Sequence, residues 1–276
     1  MGEHRRSFRA ALILSSSLMW AACGSPPKSI APSGPPIWEE LAQARPVGES
    51  SGSSAHGRAA YEAHCAACHG IRGDGGGPAA QFLATPPRDF TRGVFRFRTT
   101  VGEGMPQDED LFRSVTAGFS AYGMPSFAYL PAGERWALVD YVKTFYPKWD
   151  AFGVGETLAI GAEPPRLPGW EERGRRLYET KFDCKKCHGL TGHGDGPSAK
   201  DLKDEHGRRI RPRDYSLGPV FRKSGWRPRD TVRVMATGLP GTPMTGYFEQ
   251  LNDPNDLTEF WEAAWYVERL DQSTRR

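Results

Sequence analysis

Cys65-Ala66-Ala67-Cys68-His69 and, 119 positions further on, Cys184-Lys185-Lys186-Cys187-His188 are the stretches around which the rest of the chain is organised. In each, two thiols stand three residues apart and a histidine follows at once. C-x-x-C-H is the attachment signature of c-type haem. Two thioether bonds hold one edge of the porphyrin, and the adjacent histidine reaches the iron from one face. A zinc ribbon needs its second C-x-x-C about 15–20 residues away, and a thioredoxin-like motif needs a βαβ context that the flanks lack. A disulfide within C-x-x-C is compatible with an exported protein but leaves the repeated histidine unexplained. Two covalently attached haem c groups, with their iron, are the expected cofactors.

The surroundings of the two motifs repeat in register. Gly57-x-x-x-Tyr61 precedes the first pair and Gly174-x-x-x-Tyr178 the second; Pro78 and Pro197 each lie nine residues after their histidine. Pro87-Arg88-Asp89-Phe90 recurs as Pro212-Arg213-Asp214-Tyr215, with a polar insertion in the second copy around residues 204–209. Gly118 is six before Met124 and Gly238 six before Met244; Glu134-x-Trp136…Tyr141-Val142 matches Glu259-x-Trp261…Tyr266-Val267.

With these motifs both halves resemble class I cytochrome c domains, and the whole is similar to a dihaem c-type cytochrome of the bacterial lipoprotein kind. The resemblance implies an all-α chain: two tandem helical domains, residues 55–149 and 169–272, each around one covalently attached haem, with a linker at 150–168. Residues 55–67 and 171–186 can each form a helix running into C-x-x-C-H. Residues 133–145 and 256–270 carry apolar and aromatic side chains at three-to-four spacing. Trp136, Tyr141, Trp261 and Tyr266 then read as core.

Iron bound by His69 or His188 needs a ligand on its other face, and histidine with methionine raises the potential of a carrier. Met124, in Tyr122-Gly123-Met124-Pro125, is very like the loop that supplies the axial methionine in the family, and Met244 aligns with it. Met105 faces Gly225 in the repeat, and Met235 falls in an apolar helical pattern, so neither is chosen. His56, His64, His193 and His206 read as surface residues. The resemblance further suggests the carbonyls of Pro78 and Pro197 as acceptors for the ring N–H of each ligating histidine, the kind of support that fixes the ring. Arg88 and Arg213 have two readings: pairing with haem propionates through their planar forks, or organising a loop locally with Asp89 and Asp214. Arg96 and Arg222 are weaker candidates. Asp74 and Asp195, in glycine-rich loops, lack the further acidic ligands calcium needs.

The chain has 276 residues with 36 Lys and Arg against 33 Asp and Glu. Three of those arginines and one glutamate lie in the first 23 residues, so the remainder is nearly neutral and gives no electrostatic case for nucleic acid. Arg5, Arg6 and Arg9 precede an apolar stretch, residues 10–22, too short to span a bilayer comfortably and of signal-peptide length. The stretch ends in Trp20-Ala21-Ala22-Cys23-Gly24, which resembles a bacterial lipoprotein signal; the resemblance implies a signal over residues 1–22 and Cys23 as the lipidated first residue of the mature chain. The alternative is a plain secretory signal that leaves Cys23 a free thiol. Residues 23–54, rich in Pro, Gly and Ser, read as a flexible tether.

The expected function is electron transfer by an exported, lipid-anchored cytochrome on the periplasmic side of a bacterial membrane. Its partners would be redox proteins, including a membrane respiratory complex, and no small-molecule substrate is expected. Two alternatives stand: a haem-bearing subunit of a larger oxidoreductase, and a dihaem enzyme such as a peroxidase or thiosulfate dehydrogenase. The enzyme reading is the weaker, since the two halves match at their ligand positions.

Overall fold

A computed structural model describes residue 45, residues 54–217, 225, 227–251, 253 and 256–273. Cys23, Arg222 and residues 1–22 lie outside them, as does most of the expected tether.

The first copy is built from α1 (Ser54–His64), α2 (Ala66–His69), α3 (Asp108–Ala117), α4 (Ala132–Thr144) and the short α5 (Trp149–Phe152). The second has α6 (Trp170–Arg176), which runs into a π-helical turn at Leu177–Lys181, then α7 (Lys185–His188), α8 (Pro228–Thr237) and α9 (Thr258–Ser273). Among the described residues, pairing between extended segments is confined to isolated bridges, with no sheet. The all-α expectation holds.

Helix α1 packs on α4 and, in the same way, α6 packs on α9. The repeated glycine explains the closeness of this crossing. A Cβ on Gly57 would lie 2.5 Å from the Ala137 carbonyl oxygen, and one on Gly174 would strike the equivalent carbonyl, that of Glu262. Four residues on, Tyr61 and Tyr178 are fully buried and pack against Tyr141 and Tyr266. Around the first crossing Phe112, Trp136, Leu138 and Val139 complete one core; Phe182, Val232, Phe260 and Trp261 lie in the second.

Helices α3 and α8 each carry a buried aspartate in the first turn. Asp110 accepts from the Gln107 N–H and Asp230 from the Arg227 N–H, both at 3.1 Å, and Arg113 and Arg233 pair with the other carboxylate oxygens. An acidic side chain in the first helical turn satisfies an otherwise orphaned donor and complements the helix dipole.

The copies differ just before the second motif. Tyr61 stands four residues before Cys65, whereas Tyr178 stands six before Cys184. The same bond still closes both: Cys65 N–H donates to the Tyr61 carbonyl and Cys184 N–H to that of Tyr178, each at 2.8 Å. Two additional residues are absorbed by the π-helical turn and by Asp183, which takes a φ of 45°. The helix expected over 171–186 is interrupted for that reason.

Residues 150–168 are fastened first to one copy and then to the other. Gly155 N–H donates to the Met105 carbonyl, Met105 N–H to Gly153 and Leu158 N–H to Thr99. Further along, Arg229 donates to the carbonyls of Ile160 and Gly161, and Trp265 Nε1 to Glu163. Arg45, within the stretch read as tether, pairs with Asp140 at 2.9 Å and Asp108 at 3.2 Å, over the Trp136 ring.

Candidate functional site

Cys65 and Cys184 stand at the N-caps of α2 and α7, and His69 and His188 are the last residues of those single-turn helices. One turn of helix brings the two thiols of each motif to the same side, with the histidine beyond them. The phenol of Tyr61 donates to the Gly70 carbonyl at 2.8 Å and that of Tyr178 to Gly189 at 2.6 Å, tying each motif to the helix crossing.

Each histidine ring is held in the same way. His69 Nδ1 donates to the Arg88 carbonyl at 3.0 Å and His188 Nδ1 to the Arg213 carbonyl at 3.1 Å. The rings stack on Phe90 (centroids 4.5 Å, 18°) and on Tyr215 (5.0 Å, 10°). A carbonyl can only accept, so the proton sits on Nδ1 and the lone pair is left on Nε2. Burial, chiefly, holds both imidazoles below their ordinary range and keeps them neutral. A neutral ring with a fixed tautomer is the form that ligates a metal.

The acceptors are not Pro78 and Pro197. The bond from Phe90 N–H to the Gly73 carbonyl brings residues 88–90 under the His69 ring, and Tyr215 N–H to Gly192 does the same in the second copy. The carbonyl within reach is therefore the arginine's; that of Pro78 accepts from Gln81 Nε2. Chain path rather than sequence position decides this partner.

Burial pushes the thiols of Cys65 and Cys184 up to about 12. Thiols used in disulfide exchange are lowered instead, so Cys65 and Cys184 lack that activation. Among the described residues no three His, Cys, Asp or Glu side chains gather as a metal site of their own. The donor set fits haem c: two uncommitted thiols and one imidazole with a free Nε2 in each copy.

Met124 follows a turn at Ser120–Tyr122 and exchanges two backbone bonds with Phe119, while Met244 accepts from Leu239 N–H and donates to the Thr242 hydroxyl. The glycines that open these loops, Gly118 and Gly238, have φ of 62° and 64°, and a Cβ on either would meet the returning strand of the loop. Met124 and Cys65 pack on the same core cluster. Met105 and Met235 are buried in the cores.

The local reading, in which the two arginines organise their loops with Asp89 and Asp214, does not describe what they touch. Asp89 caps its own turn by accepting from Thr91, and Asp214 does so with Ser216. The guanidinium groups reach the other copy instead: Arg88 Nη1 donates to Glu205 and Arg213 Nη1 to the Tyr122 hydroxyl, each at 2.6 Å. Arg96 donates to Glu205 at 2.9 Å. Glu205 and Tyr122 escape a reading of the sequence; the signal available was the insertion that breaks the repeat.

Residues 52–142 match the family model described as cytochrome C oxidase, cbb3-type, subunit III. Among solved structures the chain is similar to one from the Kuenenia stuttgartiensis reducing HAO-like protein complex. The two are 33% identical over 78% of this chain and 95% of that one, with a TM-score of 0.72. A comparison with curated proteins gives no match. With the first copy matched by a family model, and a relative of this identity spanning both copies, the chain belongs to the cytochrome c family.

Proposed function

We propose that the chain is a dihaem electron-transfer protein that passes single electrons between redox partners and is not itself an enzyme. The observation that carries this reading is the duplicated histidine: two imidazoles, each stacked on an aromatic ring, each with Nδ1 bonded to an arginine carbonyl and Nε2 left over. Haem c, when bound, supplies a one-electron iron centre. The chain's own residues do the rest. Cys65, Cys68, Cys184 and Cys187 would hold the macrocycles by thioether bonds. His69 with Met124 would ligate one iron and His188 with Met244 the other, so neither would keep a position for a substrate.

Cys23 would carry lipid, and the tether would keep the two modules near a membrane on the periplasmic side. Confinement raises the effective concentration of carrier at its partners. Membership of a larger assembly is a second reading, favoured by the origin of the similar solved structure in a protein complex.

Spectroelectrochemistry of protein matured with covalent haem tests the first reading. Two reversible one-electron steps, unaffected by peroxide or thiosulfate, are expected. Turnover of either compound would overturn it. A native extract in which the chain runs at its own size rather than in a stable complex separates carrier from subunit.

A further inference from the structure

The insertion at residues 204–209 has no counterpart in the first copy, and it is built as a self-held turn. Asp204 N–H donates to the Arg208 carbonyl, and its carboxylate accepts from the N–H groups of His206 and Arg208 and from Arg208 Nε. This turn presents Glu205, with a side chain 11% exposed, to the first copy.

There Glu205 meets Arg88 at 2.6 Å and Arg96 at 2.9 Å, and Arg88 is the residue whose carbonyl accepts from His69. Its own N–H donates at 3.0 Å to the carbonyl of Gly241, three residues before Met244. One residue therefore joins the support of the first histidine to the methionine loop of the second copy. The arrangement is reciprocal. Arg213, whose carbonyl supports His188, reaches Tyr122, two residues before Met124.

We propose that Glu205 is a positioning residue for electron exchange between the two haem sites: it fixes the His69 support against the Met244 loop, and its charge favours the oxidised form of both sites. This rests on the dihaem reading above. A ferric site carries one more positive charge than a ferrous one. A carboxylate held out of water nearby, where screening is weak, stabilises the ferric form and lowers the potential. The guanidinium of Arg96 acts with the opposite sign.

The test uses the full chain with both haems in place. Glu205→Gln keeps the shape and removes the charge; it should raise both midpoint potentials and slow haem-to-haem exchange after flash reduction. Arg96→Gln should lower both potentials. Opposite signs separate a charge effect from mere loosening, which would move both variants the same way. Glu249→Gln, an exposed carboxylate on the turn Phe248–Gln250, is the reference. Shifts of one sign in both variants, or a Glu205→Gln titration that overlays Glu249→Gln, would overturn the proposal. If Glu205→Gln does not mature, Arg96→Gln decides alone: lowered potentials support it, unchanged or raised ones reject it. Absence of two covalent haems from the unsubstituted protein would reject the dihaem reading instead, before any variant is compared.

Discussion

Arg213 Nη1 lies 2.6 Å from the Tyr122 hydroxyl, so the residue that supports His188 in one copy is bonded to the methionine loop of the other. A charge-assisted bond of this kind contributes about 1.5–3 kcal/mol when it is shielded from water. Tyr122→Phe keeps the ring and deletes the acceptor. Its expected effect is a loss of about 1–2 kcal/mol, read as an earlier urea midpoint, with both C-x-x-C-H sites still loaded with haem. An unchanged midpoint would mean that the bond contributes nothing to joining the copies.

Gly57 and Gly174 test the helix crossings. A Cβ at Gly57 has the Ala137 carbonyl and Tyr141 in its way, and one at Gly174 meets Glu262 and Tyr266. Backbone cannot yield as a flexible side chain does. Gly57→Ala and Gly174→Ala should each destabilise by about 1–3 kcal/mol through overpacking, despite alanine's better helix propensity. Thermal unfolding followed by circular dichroism reads the result.

The fold was open to reading because the signals for it are local or periodic. C-x-x-C-H is contiguous, and the Gly-x-x-x-Tyr and Glu-x-Trp motifs recur in register, so the duplication follows from the residues and the helix class from the family they resemble. The interruption at Leu177–Lys181 departs from the continuous helix expected over 171–186, although the six-residue gap from Tyr178 to Cys184, against four residues in the first copy, carries its signal. What could not be read depends on chain path. His69 and Arg88 are 19 positions apart, Arg88 and Glu205 117, and nothing in the intervening residues says which carbonyl or carboxylate arrives. The family resemblance suggests Pro78 as the acceptor, and the bond from Phe90 to Gly73 places Arg88 there instead.

Met124→Ala and Met244→Ala should each open one iron to external ligands while leaving the other unchanged. One of two haems would become weaker-field, lose its methionine-to-iron charge-transfer band and bind imidazole or carbon monoxide. Two unaltered low-spin haems in either variant would reject that methionine as a ligand.

Glu205 gives a pH dependence. Burial opposes its ionisation, but its own backbone N–H, Arg96 and Arg88 outweigh burial and hold the carboxyl below the ordinary carboxylate range. His206 also faces it, with Nε2 3.7 Å from the carboxylate. A depressed folded value means that the ion pairs stabilise fully above the unfolded value and are lost as pH falls through the folded one. The stability difference between the unsubstituted protein and Glu205→Gln should therefore be flat at neutral pH and vanish in acid. A difference that grows rather than shrinks as pH falls into the acid range would contradict the assignment.

The most direct measurement on the central claim is the visible spectrum of the haem-loaded protein, oxidised and reduced, with carbon monoxide added to the reduced form. Two covalent haems, both low-spin, with the methionine-to-iron charge-transfer band and no response to carbon monoxide, are the predicted result. A haem that is high-spin, or that takes up carbon monoxide, would contradict electron transfer at two closed sites and put a catalytic centre in its place.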